Sequence, residues 1–302
     1  MKLAVSFSTT RFSDLRLSWK SSSSKTTAHS SAEFETVSGG IFLVIDWDTG
    51  VCEKIIQVNQ ATGFCKIGKD YLVASGNKLI LLDCDFCVKK KIHHRLFNNI
   101  HSIIYKNENI GVTSSGTDSI VVLDKNYNEQ YTWCAVYNGY DKNQFGKTRE
   151  IDLGLDHSLI FYPTKLHTTH INSIWLDIAK NSFYSTLFWQ GEVIEVSIKT
   201  GSTRVLGKNF RFPHSLKRTS DDRWMFSDTG NNRIVFTKDW RNYHYTCLED
   251  VSWLQDTTQI SSDRFIVSDA NNNRLLEIDV DGHVIKEWKF SPQWKVYQTC
   301  LI

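Results

Sequence analysis

The chain has 302 residues, of which 41% are hydrophobic and 13% aromatic, a composition that indicates a folded protein and excludes a disordered one. Its 35 basic and 33 acidic residues give a net charge of +2 and are spread without blocks, which argues against a nucleic-acid partner. No apolar run approaches the roughly 20 residues that span a bilayer, so we expect no membrane association. The chain carries no P-loop or dinucleotide fingerprint, and we expect no nucleotide cofactor.

The beginning of the chain and its cysteines indicate a compartment. Met1 and Lys2 are followed by a short apolar run at residues 3–5, too short for the apolar region of a secretory signal. The seven cysteines are odd in number and scattered, and the one CxxC pair, Cys84 and Cys87, lacks the second pair that a zinc site requires. We expect buried thiols and a cytoplasmic protein.

Residues 1–36 form the least regular part of the chain. Residues 3–7 and 15–19 are each predicted to be a strand. Residues 20–35 are rich in Ser and Thr and are predicted to be a loop, because such a composition buries little apolar surface. From Val37 onward, short apolar runs alternate with Gly, Asn and Asp turns and show no helical period, which predicts an all-β fold.

A repeat of about 40 residues decides the architecture. Each unit contains four short strand-like runs, which is the pattern of a β-propeller blade. The units open with TGF at 62–64, HSI at 101–103, NSI at 172–174, HSL at 214–216 and SWL at 252–254. With an incomplete unit at 37–58, they predict one domain over residues 1–302, a six-bladed propeller of four-stranded antiparallel blades. Residues 295–302 are predicted to complete the first unit and close the ring; a seventh blade from residues 1–36 is the alternative.

Two of the turns carry a known motif. The segments SDTGNNRI at 227–234 and SDANNNRL at 268–275 resemble the core of the NHL repeat. This resemblance implies that the Asp and Asn residues hold the turn between the second and third strands and that the Arg ties neighbouring blades. Residues 37–235 also resemble a group of uncharacterised bacterial propeller proteins, through GGIFLVID, ATGFCKI, HINSI and PHSL. That group implies no function, whereas NHL propellers imply a module that binds other proteins.

The repeat places polar residues together at one mouth of the central channel. The first strand of each blade lines the channel, so His101, Asn172 and His214 occupy equivalent positions near its start. His170 lies two residues before Asn172 and is expected to point to the same side of an extended strand. The three histidines are candidate ligands of a divalent metal, zinc or another transition metal before calcium. They are equally candidates for a general acid and base. Hydrogen bonding to backbone or channel water is the structural alternative.

Known six-bladed propellers imply that both chemistries suit such a channel. The peptidylglycine amidating lyase holds a metal with three histidines, and the gluconolactonase and paraoxonase group holds calcium with Glu, Asn and Asp. This sequence is closer to the histidine pattern but lacks the rest of either family's motif.

An insertion at residues 138–169 separates the third and fourth units, when the incomplete unit at 37–58 is counted as the first. Loops longer than about 15 residues in a compact domain are usually functional or disordered, and this one precedes an innermost strand, so it is predicted to be a lid over the histidines. A plain surface excursion is the alternative. Its candidate residues are Lys147 and Arg149 for an anionic substrate group, Asp156 and His157 for proton transfer, and Tyr162 for substrate contact. In the last unit, Trp253 is a candidate stacking wall for the substrate, with core packing as its alternative.

These observations predict an enzyme acting on a small molecule or peptide at the channel mouth, by lyase, hydrolase or isomerase chemistry. His101, His170 and His214 would hold a metal or transfer protons, and Asn172 would orient the ligand. The alternative is a non-catalytic NHL-type module with a protein partner. An enzyme predicts an inward polar cluster at one mouth, whereas such a module predicts an exposed apolar patch.

Overall fold

A computed structural model describes residues 1–22, 29–30 and 39–302, with side chains for 1–17 and 39–302. The strands are numbered in chain order. They are β1 (Lys2–Thr9), β2 (His29–Ser30), β3 (Ile41–Asp46), β4 (Cys52–Gln57), β5 (Ala61–Ile67), β6 (Asp70–Ser75), β7 (Lys78–Leu82), β8 (Val88–Ile92), β9 (Ile100–Lys106), β10 (Asn109–Ser114), β11 (Ser119–Asp124), β12 (Glu129–Cys134), β13 (Ile160–Phe161), β14 (Ile171–Asp177), β15 (Ser182–Leu187), β16 (Glu192–Ser197), β17 (Thr203–Gly207), β18 (Pro213–Arg218), β19 (Trp224–Asp228), β20 (Arg233–Thr237), β21 (His244–Cys247), β22 (Leu254–Gln259), β23 (Arg264–Asp269), β24 (Arg274–Asp279), β25 (Val284–Lys289) and β26 (Lys295–Leu301).

Six antiparallel sheets of four strands form the blades of a propeller, which confirms the predicted fold. Five blades each consist of four consecutive strands. Short turns join each strand to the next, so strands that follow one another in the chain also pair in the sheet. From the channel outward they are β5 to β8, β9 to β12, β14 to β17, β18 to β21 and β22 to β25.

The first blade joins the two ends of the chain. Its strands run β26, β1, β3 and β4 from the channel outward, so the predicted closure by the C-terminal strand is confirmed. Leu3 pairs with Leu301 on one side and with Ile45 on the other, and its side chain is fully buried. The predicted strand at 3–7 therefore lies inside the first blade. The alternative of a seventh blade built from residues 1–36 is wrong for the residues described.

Residues 15–19 do not form the predicted strand but belong to helix α1 (Phe12–Ser22). Phe12 and Leu15, three residues apart, are buried and lie on one side of this helix, while Asp14 and Arg16 are exposed. The backbone N–H of Phe12 donates to the carbonyl of Gln293 over 3.0 Å, which fixes the start of the helix against the segment that joins β25 to β26. Because only two apolar residues mark the buried side of the described part of α1, the sequence shows no recognisable helical period there.

The predicted Ser/Thr-rich loop at 20–35 falls largely outside the described residues, which omit 23–28 and 31–38. Its residues 20–22 belong to α1, and residues 29–30 form β2, which pairs with β13 of the insertion.

The apolar core lies between adjacent blades rather than in one central mass. Between the second and third blades, for example, Leu72 and Leu79 pack with Ile103, Val112 and Val121, and none of the five is more than 4% exposed. Burial of this apolar surface drives the stacking of blades around the ring.

The turns with the NHL-like motif are held by buried carboxylates. Asp228 accepts hydrogen bonds from Asn231 Nδ2 at 2.9 Å and from Arg233 Nε at 2.8 Å. Asp269 accepts in the same way from Asn272 and Arg274. The Asp and Asn roles implied by the resemblance are therefore present. The arginines, however, pair with the aspartate of their own blade.

The cysteines are not all buried as expected. Cys134 is buried, whereas Cys52, Cys87 and Cys247 are exposed, and all seven are free thiols. In the part of the chain that the structure describes, no helix has the length and apolar character to cross a membrane.

Candidate active site

A register shift recurs near the start of the innermost strand of every blade. In the third blade, pairing passes from Ile100–Ser114 to Ile103–Val112, and the other blades show a comparable shift. A β-bulge of this kind redirects side chains out of the ladder. The side chains at this point line the channel in all six blades and form what we call the inner ring. Its members are Thr62, His101, Asn172, His214, Gln255 and Tyr297.

The inner ring confirms that His101, Asn172 and His214 are equivalent. It corrects the last predicted opening, because β22 begins at Leu254 and Gln255, not Ser252, occupies the equivalent position. The sixth member, Tyr297, comes from β26.

A second set of residues lies two positions before each inner-ring residue, and we call it the outer ring. It consists of Gln60, Asn99, His170, Phe212, Trp253 and Lys295. Gln60, Asn99, His170 and Phe212 have φ between +50° and +57°. The prediction that His170 lies on an extended strand is therefore wrong. Its side chain nevertheless lines the same mouth as His101 and His214.

The two rings enclose two connected spaces. The mouth cavity has a volume of about 350 Å³, and its walls include Leu15 of α1 and Phe161 and Thr164 of the insertion. The channel cavity, about 180 Å³, continues along the innermost strands and is lined by Asn172. Four inner-ring residues line both cavities and mark their junction: His101, His214, Gln255 and Tyr297. The mouth cavity is large enough for a small ligand.

Hydrogen bonds fix the proton positions on His170 and His214. His167 Nε2 donates to the Tyr162 carbonyl at 3.0 Å, so the Nδ1 of neutral His167 accepts from His170 Nδ1 at 2.7 Å. His214 Nδ1 donates to the Phe212 carbonyl at 2.8 Å and also contacts the Thr229 hydroxyl. In both His170 and His214, the Nε2 atom is therefore the unprotonated nitrogen. A proton acceptor on each imidazole is left for a ligand.

His101 belongs to the same cluster and has a different partner. Its ring lies 4.6 Å from that of His170, centroid to centroid, and its Nδ1 is hydrogen-bonded to the Tyr297 hydroxyl. The structure thus brings together the three predicted histidines, and it adds His167 of the insertion and Tyr297 of β26.

Burial keeps these groups uncharged at neutral pH. It lowers the pKa of His214 to about 4, although the hydrogen bond to Phe212 acts in the opposite direction. It lowers the pKa of His101 and His170 well below the ordinary value, and neighbouring histidines add to the effect. Burial also raises the pKa of Tyr297 well above its ordinary value. The cluster is therefore a set of neutral imidazoles beside a protonated phenol.

Lys295 of the outer ring is a cation in the wall of the mouth cavity. Burial, assisted by the charge of Arg16, lowers its pKa to about 8. Its charge in turn contributes to the lowered pKa of both His101 and His214. No sequence pattern indicated this residue, because the closing strand carries none of the opening motifs.

Three aromatic side chains pack together at the mouth, and two of them, Phe188 and Trp253, line its cavity. Phe188 stacks on Phe212 with centroids 4.5 Å apart and planes 17° apart, and Trp253 lies 6.1 Å from Phe212. Trp253 Nε1 donates to Gln255 Oε1 at 2.9 Å. Phe188 also contacts the rings of His170 and His214. We call Phe188, Phe212 and Trp253 the aromatic wall; it places the predicted Trp253 at the site.

The candidate residues of the insertion do not line either cavity. Arg149 forms an ion pair with fully buried Asp118 and donates to the Gly116 carbonyl, so it is not available to a substrate anion. His157 bonds to the Tyr162 hydroxyl and the Asp152 carbonyl, each at 2.7 Å. Lys147 and Asp156 lie on surface turns. The insertion contributes Phe161 and Thr164 to the mouth instead, together with His167 behind His170.

The three histidines are not among the close groups of metal-ligating atoms found in the described residues. Among the described residues, the one group of three or more His, Cys, Asp or Glu side chains whose ligand atoms all lie within 4.8 Å is Asp279, Asp281 and His283, on an outer turn. Nδ1 of His101, His170 and His214 is engaged in hydrogen bonds within the protein. Metal binding at the channel stays a prediction.

Comparison with known proteins supports the fold and goes no further. No protein-family model matches the chain, and no curated protein matches it, so the NHL resemblance is not supported by a family match. A chain of the nidogen/laminin complex is 11% identical over 99% of this chain and 97% of that one, with a TM-score of 0.63. A Bacteroides caccae protein of unknown function is 13% identical over 86% and 94%, with a TM-score of 0.64.

An enzyme is also among the similar structures. A catalytically inactive histidine-to-alanine variant of virginiamycin B lyase from Staphylococcus aureus, solved with quinupristin, is 12% identical over 76% of this chain and 70% of that one, with a TM-score of 0.52. At such identities the likeness concerns the fold alone: this chain is a six-bladed β-propeller with a closed ring of four-stranded blades.

Proposed function

We propose that the protein is a lyase that acts on a small molecule or short peptide in the mouth cavity by general acid–base catalysis. One observation carries the proposal. Two uncharged imidazoles with different hydrogen-bond partners, His214 and His101, meet at the junction of the two cavities. An uncharged imidazole keeps one nitrogen lone pair that can accept a proton and one N–H that can donate one.

His214 is the proposed base, because its Nε2 carries the lone pair. In a β-elimination, Nε2 takes the proton from the carbon that becomes part of the new double bond. The electron pair of that C–H bond forms the carbon–carbon double bond, and the bond from the neighbouring carbon to the leaving group breaks. The substrate is thus divided into an alkene and a leaving group that requires a proton.

His101 is the proposed acid. The Tyr297 phenol is protonated before the reaction, since burial raises its pKa, and in the proposed tautomer its O–H donates to His101 Nδ1. Nε2 of His101 then carries the hydrogen that passes to the leaving group, while the Tyr297 proton moves to Nδ1, so that His101 stays neutral and the negative charge lies on the phenol oxygen. Transfer of one proton from His214 to solvent and of one from solvent to Tyr297 restores the starting state, so no oxidant or added water is consumed.

Lys295 is the proposed electrostatic partner of this reaction. Its charge acts on both histidines, and a cation in a poorly solvated cavity stabilises negative charge that develops as the proton leaves carbon. The aromatic wall offers a flat apolar surface to the rest of the substrate. The structural likeness to virginiamycin B lyase supports the choice of elimination, because that enzyme is inactive when one of its histidines is replaced by alanine.

Mass spectrometry of reaction mixtures tests the proposal. Purified protein is incubated with a panel of linear and cyclic peptides that includes quinupristin, and the molecular masses of the products are measured. Bond cleavage without gain of a water molecule is expected, and His214→Ala should lower the rate at least about 100-fold. His244→Gln, on an exposed outer strand, is the matched control and should leave the rate unchanged. Products that have gained water, product formation unaffected by His214→Ala, or no product from the panel would overturn it.

A protein-binding module is the second candidate, and exposed side chains of the insertion favour it. Tyr137 just before the insertion and Phe145, Leu155 and Leu159 within it are 56% to 71% exposed. Exposed apolar side chains gathered in one segment are typical of interaction surfaces. The nidogen/laminin likeness is consistent with this use of the fold. Replacing Phe145 and Leu159 with Ser should abolish partner binding under this candidate and leave lyase activity intact under the first.

A further inference from the structure

Asn172 is the inner-ring residue whose polar atoms have nothing to bond with. Its side chain is 4% exposed and lines the channel cavity, and neither Oδ1 nor Nδ2 has a hydrogen-bond partner among the described residues. A buried amide without partners destabilises a fold, so such a group usually serves another purpose.

The other five positions of the inner ring show that the channel itself does not impose this state. Thr62 Oγ1 donates to the Ile100 carbonyl at 2.5 Å, and Gln255 Oε1 accepts from Trp253. His101 and Tyr297 bond to each other, and His214 bonds to the Phe212 carbonyl. Equivalent backbone positions can therefore satisfy a polar side chain within the protein. Of the six inner-ring residues, all of which the structure describes, only Asn172 has no hydrogen bond from any of its side-chain polar atoms.

The position of Asn172 relates it to the proposed chemistry. The third, fourth and fifth blades follow one another, so Asn172 stands between His101 and His214 around the ring. A group bound to its amide would lie between the proposed acid and the proposed base. This inference therefore rests on the proposed function and specifies its substrate.

A carboxamide side chain offers a donor and an acceptor side by side. A carboxylate or ester could satisfy only Nδ2, and a cation only Oδ1. A ligand that satisfies both carries an N–H and a C=O on the same side, as a primary carboxamide does, or as one residue of an extended peptide does. The aromatic wall near the same junction adds a place for a flat apolar group.

We infer that Asn172 is a specificity-determining residue that selects substrates with an amide group, and that the preferred ligand is a short peptide or carboxamide with an aromatic group. The amide pairs with Asn172 and the aromatic group lies against the wall. Asn172 orients the substrate and takes no part in proton transfer.

A matched pair of ligands tests the inference by binding alone. The probes are 3-phenylpropanamide and methyl 3-phenylpropanoate, which differ in the amide, and their Kd values are measured by NMR titration. The wild type should bind the amide about tenfold more tightly, the value of one or two neutral hydrogen bonds. Asn172→Ala and Asn172→Leu should bind the two probes equally. Asn126→Ala, on an exposed outer turn, should keep the wild-type preference.

Several results would overturn the inference: equal binding of both probes by the wild type, an amide preference that persists in Asn172→Ala, or no binding of either probe. The melting temperature of Asn172→Leu, expected to be unchanged or raised, shows that the variant is folded. The binding experiment is independent of turnover. An amide preference without elimination would reject the proposed lyase alone, and elimination without an amide preference would reject the role of Asn172 alone.

Discussion

Two regions of the propeller bury polar side chains at recurring positions, and they differ in how those side chains are satisfied. At the turns between second and third strands, Asp118, Asp228 and Asp269 are fully buried, and each accepts several hydrogen bonds. In the inner ring, Asn172 is almost as buried and accepts none from any residue that the structure describes. The two regions therefore share burial and differ in the number of hydrogen-bond partners that the protein supplies.

The two regions are also physically linked. The carboxylate of Asp118 accepts from the backbone N–H of His170 at 3.0 Å, and that of Asp269 accepts from Trp253 at 3.2 Å. Both donors belong to the outer ring. The buried carboxylates thus hold outer-ring residues in fixed positions around the channel mouth. Side chains at a site are positioned more accurately when such hydrogen bonds support their backbone.

The largest loss of stability is expected when one of these buried, hydrogen-bonded carboxylates is removed. Asp118→Ala leaves Arg149 and the N–H groups of Thr168, Thr169 and His170 without their acceptor. The free energy of unfolding should fall by about 3–5 kcal/mol, as for other buried ion pairs that lose one partner. Urea denaturation measures the change. The control Glu108→Ala removes an exposed ion pair with Lys125 and should cost less than about 1 kcal/mol. Similar losses for both variants would contradict the structural role of Asp118.

Lowering the pH is expected to have a smaller effect on the free energy of unfolding, through protonation of His214 at the mouth. The folded state lowers the pKa of His214 from 6.5 to about 4, so the unfolded chain binds the proton first as the pH falls. The stability that the neutral imidazole contributes is complete above pH 6.5 and is lost toward pH 4, by about 3 kcal/mol in all. His214→Gln should therefore lose less stability than the wild type between pH 7 and pH 4.5 in urea denaturation. His244→Gln should follow the wild type, and an identical pH dependence for all three proteins would refute the lowered pKa.

The smallest effect is expected at Asn172. Asn172→Leu replaces an unsatisfied amide with an apolar side chain of similar size, so the free energy of unfolding should stay constant or rise by about 1 kcal/mol. Asn98→Leu is the contrast, because Asn98 Nδ2 donates to the His157 carbonyl at 2.7 Å and its loss should be destabilising. If Asn172→Leu proves the more destabilising of the two, Asn172 has a structural partner after all.

The sequence predicts the fold well because a propeller repeats its local pattern. Turn residues and short apolar runs recur in each blade, and the equivalence of His101, Asn172 and His214 follows from them. The equivalence of Gln255 to the other inner-ring residues was missed because Ser252-Trp-Leu imitates the opening of the other units. Lys295 and Tyr297 were missed because the closing strand has no unit of its own.

The errors in the site arise from contacts between residues distant in the chain. Arg149 has the charge to bind an anion, but its pairing with Asp118 depends on how the insertion folds back, which no local pattern records. Phe188 and Phe212 stand at the ends of ordinary strands, and their stacking appears only when two blades come together. The helix α1, which supplies Leu15 to the mouth, has too short an apolar period to be recognised.

The central claim is that the channel mouth holds neutral imidazoles with a free Nε2 lone pair, and NMR of protein labelled with 15N in its histidines tests it most directly. At pH 7 the spectra should show His214 and His170 as neutral rings protonated on Nδ1, with His214 titrating near pH 4 and exposed His244 serving as the assignment control. A His214 ring that is protonated on Nε2 at pH 7, or that titrates near the ordinary histidine pKa of about 6.5, would contradict the account.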